Sequence, residues 1–230
     1  TTVATGSKWT AIEAPTGLGY DNVTSSSIRL QVQGTFSNLT SGSSGIKIMN
    51  TTLGGQHGTA WVQNTDAWTD SGLTGNTIYT YEVRARNGEG VETSVVTINV
   101  QTDMVGPTGV DFGTLLTGSI DARPAGSFPG LGQGQTAVRT DNTTTSTTSG
   151  WVTTLDYWTS SSLDTNSLYA FSVWARDWSG ELTDSATGSR YTRIEAPTDL
   201  QVGTYNSSSV LLTPVGPFSN LAVAQSGIRI

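Results

Sequence analysis

The chain contains no cysteine, only two lysines (Lys8 and Lys47) and a single histidine, His57. Without cysteine there is no disulfide framework. A Ser–His–Asp or Cys–His site needs a positioned base, and the one imidazole falls beside Gly54-Gly55, in a stretch that reads as a loop. Zinc sites want several His or Cys ligands, which this composition does not supply. Positive charge is scarce and the net charge is −7, which argues against a nucleic-acid partner, since phosphate neutralisation needs a basic surface. No apolar run reaches the length of a membrane span, and no segment has convincing helical spacing.

What the chain has in quantity is repetition. Ala4-Thr5-Gly6-Ser7-Lys8-Trp9-Thr10-Ala11-Ile12-Glu13-Ala14-Pro15-Thr16 returns 182 residues later as Ala186-Thr187-Gly188-Ser189-Arg190-Tyr191-Thr192-Arg193-Ile194-Glu195-Ala196-Pro197-Thr198. The correspondence runs without a gap to Gly45-Ile46-Lys47-Ile48 and Gly227-Ile228-Arg229-Ile230. A weaker repeat lies inside it. Pro15, Ile28, Phe36 and Asn50 recur 92 residues on as Pro107, Ile120, Phe128 and Asn142; from Trp61 onward the shift is 90. Self-similarity at a fixed period marks an array. The expected organisation is residues 1–11 as the last strand of one module, 12–103 as a whole module A, 104–193 as a whole module B, and 194–230 as the start of another A. The joints are short and not Gly/Ser-rich, so modules are expected end to end.

The periodicity within each module is two. Ile28, Leu30 and Val32 alternate with Arg29, Gln31 and Gln33, and Tyr79, Tyr81, Val83 and Ala85 with Thr80, Glu82, Arg84 and Arg86. Ile46 and Ile48 flank Lys47, and Val96, Ile98 and Val100 form a further set. Such alternation indicates half-buried strands. Asn87-Gly88 suggests a tight positive-φ hairpin. About seven strands in roughly 90 residues predict an all-β fold of antiparallel sandwiches.

The segment Leu73-Thr74-Gly75-Asn76-Thr77-Ile78-Tyr79-Thr80-Tyr81-Glu82-Val83-Arg84-Ala85, matched by Leu163 to Ala175, resembles the fibronectin type III signature, in the broader immunoglobulin-like class. The resemblance covers both whole modules and both partial ones. It implies a tyrosine corner at Tyr79 and Tyr169, whose hydroxyls bond back to nearby backbone. The family's usual second-strand tryptophan is missing; Val32 stands nearest, and Trp61 and Trp151 are expected to supply its bulk. No Arg-Gly-Asp tripeptide is present.

Several residues invite a functional reading. Trp174 and Trp178 stand where module A has Arg84 and Gly88; alternation turns Trp174 away from the core, so the pair is a candidate contact surface for a neighbour or a sugar. The alternative is that they cover their own sheet, against Arg139 or Arg176. The carboxylate pairs Asp66/Asp70, Asp156/Asp164 and Asp177/Glu181 have no known metal-loop spacing and read as solvated loops. Calcium at module joints would use Glu13, Asp103, Glu195 and Asp199; otherwise no cofactor is expected. Asn-x-Ser/Thr sequons fall at Asn22, Asn38, Asn50, Asn142 and Asn206, and Thr143 to Ser149 offers O-linked sites.

These features favour a structural segment, free of catalysis, of a long extracellular filament, stalk or cell-surface polymer of prokaryotic type. Its partners would be neighbouring repeats or other copies of itself, by strand addition, and glycans. The competing expectation is spacer or carbohydrate-binding modules of a secreted polysaccharide-degrading enzyme or an adhesin.

Overall fold

The computed structural model describes residues 6–222 and 226–229. The repeat residues Ala4, Thr5 and Ile230 lie outside them. Two compact units are present, Thr1–Val105 and Gly106–Ile230.

In the first unit the strands are β1 (Gly17–Asp21), β2 (Ser27–Gln33), β3 (Gly45–Asn50), β4 (Trp68–Ser71), β5 (Ile78–Arg86) and β6 (Val96–Gln101). They form two antiparallel sheets, β1-β2-β4 and β3-β5-β6. The period-two pattern explains how they close. Leu18, Ile28 and Leu30 from one sheet meet Ile46, Ile48, Tyr81 and Val83 from the other in a single core. Each such aliphatic side chain, fully removed from water, contributes about 1.5–3 kcal/mol. The polar partners Arg29 and Gln31 point outward, and Arg29 pairs with Asp21 across the strand pair.

The second unit repeats the plan with β7 (Gly109–Leu115), β8 (Ser119–Ala125), β9 (Ala137–Asn142), β10 (Thr147–Thr148), β11 (Trp158–Ser161), β12 (Leu168–Arg176) and β13 (Ala186–Tyr191). Its sheets are β11-β8-β7 and β10-β9-β12-β13. Ile120, Ala122, Leu163, Tyr169 and Phe171 form the core. The first unit has no strand equivalent to β10. In its place is one bridge, Met49 to Gly58, because the loop there is two residues longer and turns through Gly54 and Gly55, both at positive φ. After β13 come β14 (Asp199–Tyr205) and β15 (Val210–Val215), paired with each other alone among the described residues.

Two expectations need correction. Asn87-Gly88 is not a two-residue positive-φ hairpin: the positive φ sits at Gly90. The Asn87 side chain accepts the Glu89 and Val91 N–H groups at 3.1 and 2.9 Å, which widens the turn to a loop closed by the Arg86–Glu92 bridge. Nor do Trp61 and Trp151 fill the core. Trp61 lies outside it, 4.5 Å from the Arg86 guanidinium, and Trp151 lies between Arg139 and Arg176 at 5.0 and 4.8 Å. The core bulk comes from Trp68, packed edge-on to Tyr81 at 6.5 Å, and from Trp158.

Candidate functional site

A buried polar cluster grows from the inward register of β3. Alternation from Ile46 and Ile48 turns Asn50 into the core, where its exposure is 0%. Its Oδ1 accepts the Thr52 and Leu53 N–H groups, tying down the turn that leaves the strand. Its Nδ2 donates to Asp70 Oδ2 at 2.8 Å. Tyr81 donates its hydroxyl to the same oxygen at 2.9 Å, and His57 Nδ1 lies 2.8 Å from Asp70 Oδ1. Asp70 is therefore no solvated loop carboxylate; it is buried with every neighbour directed at it. Burial, then the Asp70 hydrogen bond, pushes the Tyr81 phenol far above the usual tyrosine range, so this hydroxyl stays a donor.

The second unit holds the same scaffold with the charge removed. Asn142, also 0% exposed, donates to Ser160 Oγ at 2.9 Å, and Phe171 stands where the first unit has Tyr81. A reactive centre uses its groups on a substrate; here Asp70 is saturated by Asn50, Tyr81 and His57, and the core covers it. The cluster is a structural knot. Sequence reading missed it, although its signal was present: Asn50 continues the inward set Ile46, Ile48, and positions 70 and 81 change together to Ser160 and Phe171.

Two residues before Tyr81 on β5, and at the matching place on β12, tyrosine hydroxyls bond to backbone. Tyr79 accepts the Thr74 N–H at 2.8 Å, and Tyr169 accepts the Asp164 N–H at 2.8 Å. Both rings are buried.

No family model and no curated protein matches the chain. Among solved structures it is similar to a two fibronectin type III domain segment of chicken tenascin, at TM-score 0.55 and 15% identity, over 78% of this chain and all of that one. The FN1–FN3 domains of chicken CNTN1 align at TM-score 0.39 and 15% identity, over 89% of this chain and 76% of that one. The chain has the fold of tandem fibronectin type III domains.

Within the fibronectin frame the remaining candidates find their places. Trp174 is half-buried on the outer face of its sheet, 5.7 Å from the Arg139 guanidinium that also stacks on Trp151. Trp178 is 38% exposed, and its indole lies against the backbone of Gly134. Asn50 and Asn142 cannot carry N-linked sugar in the folded chain, because the nitrogen that would bear it is buried and donating to Asp70 or Ser160. Asn22, Asn38 and Asn206 are exposed. Of the carboxylates near joints, Glu13 accepts the Ser37 hydroxyl and N–H at 2.6 and 2.8 Å, and Glu195 accepts those of Ser219 at 2.7 and 3.1 Å. The serine hydroxyl holds both carboxyls below the ordinary glutamate range. Asp199 Oδ1 accepts the Leu200 N–H, and the Asp103 carbonyl accepts the Asn76 N–H. Among the described residues no three His, Asp or Glu side chains gather closely enough to hold a metal, and no helix is long and apolar enough to cross a membrane.

Proposed function

We propose that the chain is a structural repeat segment of a long extracellular filament, stalk or cell-surface polymer and does no chemistry. The observation that carries this reading is the sequence period itself, which sets down the same strand pattern again 182 residues on, with β14 and β15 in the places of β1 and β2. Leu18, Ile28 and Leu30 are at most 5% exposed in the first unit. Of their counterparts 182 residues on, Leu200 and Val210 are 46% and 57% exposed and Leu212 is half-buried on the β14–β15 pair. A two-stranded hairpin is at best marginally stable in water. In an array, strands of the β3–β6 kind would cover that face. Asp70, buried and already accepting from Asn50 and Tyr81 with His57 beside it, supports a role without catalysis.

The test is the native material. Denaturing electrophoresis should show a polypeptide far above the 24.1 kDa of this sequence, and electron microscopy should show fibres or a lattice. Their axial period should match two modules, about 60–80 Å at ordinary strand rise and module size. A native band at 24.1 kDa from a dispersed monomer would refute it.

A further inference from the structure

In the first unit the Trp9 indole lies on Gly88 so closely that a Cβ added there would clash with the face of the ring, and the position of a Cβ on Gly42 is 3.1 Å from its edge. The approach is anchored by Asn87, whose Nδ2 donates to the Thr10 carbonyl at 3.0 Å, and by Lys8, 3.4 Å from Glu89. The second unit has the same slot. There Gly134 corresponds to Gly42, and the indole over it is Trp178, which occupies the position of Gly88. One slot is filled by an aromatic from outside the sandwich, the other by the sandwich itself. The module ends match this difference. Module B ends on an aromatic, Trp9 or Tyr191, whereas module A has Gln101 at that position.

A second contact points the same way. Asn166 donates its Nδ2 to the Ser219 and Asn220 carbonyls at 3.1 and 2.7 Å. Asn220 answers with bonds to the Thr165 carbonyl and Ser167 Oγ at 2.9 and 3.1 Å. Ser219-Asn220 repeats Ser37-Asn38, with φ of 55° at Asn220 and 52° at Asn38. The counterpart in module B is Pro129-Gly130, without the amide side chain.

We propose that the slot over Gly88, bordered by Gly42 here and by Ala224 in the sequence of the next copy, and the Ser37–Asn38 turn form a docking surface on module A whose occupant is the far end of a module B. The last-strand aromatic enters the slot and the Asn166 loop grips the turn. Module B cannot receive that end, because Trp178 already fills its slot, so the surface enforces strict alternation. This inference rests on the array reading above.

The full chain, labelled with 5-fluorotryptophan, tests it by fluorine NMR, with the Trp9 resonance assigned from Trp9→Phe. Trp9 should resonate away from the random-coil position with a broad line. Gly88→Ala, at a residue whose φ is not in the left-handed region, should return it to random coil and narrow it. The Trp68 and Trp158 lines should stay put, reporting intact sandwiches. Gly88→Trp should release Trp9 in the same way. Asn166→Gly, which suits the φ of 50° there, should give residues 199–215 a rotational correlation time shorter than they have in the unaltered chain, with that of 109–191 unchanged. A random-coil Trp9 in the unaltered chain, an unmoved line in Gly88→Ala, or an unchanged correlation time for 199–215 in Asn166→Gly would overturn the docking surface. None of those results would alter the mass or axial period of a native filament, so the two readings fail separately.

Discussion

Replacing Asp70 should unmask how much the buried knot contributes, and the second unit supplies the control. Asp70 accepts from Asn50, Tyr81 and His57 at 2.8, 2.9 and 2.8 Å. Asp70→Ser leaves an acceptor for Asn50 but strands the Tyr81 hydroxyl in a site that is 0% exposed. His57 is only half-buried, so water can satisfy it. An unsatisfied buried hydroxyl costs about 1–3 kcal/mol, and loss of a bond to a charged group about 1.5–3 kcal/mol. Asp70→Ser should therefore destabilise the first sandwich by about 3–5 kcal/mol. Adding Tyr81→Phe recreates the Asn142–Ser160–Phe171 arrangement and removes the stranded donor, so the double variant should recover about 1–3 kcal/mol. Hydrogen exchange in a urea series, read on peptides from β2, β3 and β5, isolates the first unit, while peptides from β8, β9 and β12 should not move. If the double variant is no more stable than Asp70→Ser, the assignment of Asp70 as the Tyr81 acceptor is wrong.

Alkaline pH separates the two units in another way. The folded phenol of Tyr81 is raised above its unfolded value of about 10, so its contribution is complete below pH ~10 and is lost as pH climbs above that. In a Tyr157→Phe background, which removes the second unit's own phenol raised by its bond to Asp111, calorimetry between pH 9 and 11.5 should show the first unit's transition falling relative to that of the second, which has Phe171; Tyr81→Phe should abolish the difference. Tyr79→Phe and Tyr169→Phe should each cost about 1 kcal/mol in denaturant unfolding, because each hydroxyl accepts a backbone N–H; a cost confined to one of them would show that the corners are not equivalent. Expression in a host that attaches N-linked sugar, followed by peptide mass mapping, should find occupancy only among Asn22, Asn38 and Asn206, with Asn50 and Asn142 unmodified.

The inward and outward faces of β2, β3 and β5 could be read directly, because period-two alternation is a local property and each apolar residue carries its own preference for burial. The two-sheet plan and the tyrosines at 79 and 169 were equally visible. The knot was less so. Asp70 lies on the short strand β4, where four residues carry no alternation to read, and its partners come from positions 20 residues upstream and 11 downstream. The placement of Trp61 and Trp151 failed for a similar reason: an indole suits either a core or an arginine-covered face, and only the position of Arg86, Arg139 and Arg176 across the sheet decides between them.

The array, its 182-residue period and the pleated character of its modules follow from the chain's own order of residues, since repetition and alternation need no partner to be recognised. Whether a given copy becomes a strand does need one. Ala186–Tyr191 forms β13 because β12 offers it an edge from Leu168 to Val173. The corresponding Gly6–Trp9, identical to it at Gly6 and Ser7, is in no strand among the described residues, and Trp9 lies on Gly88. A strand's backbone hydrogen bonds lie on its neighbour, so the same residues take their conformation from whichever surface is there to receive them.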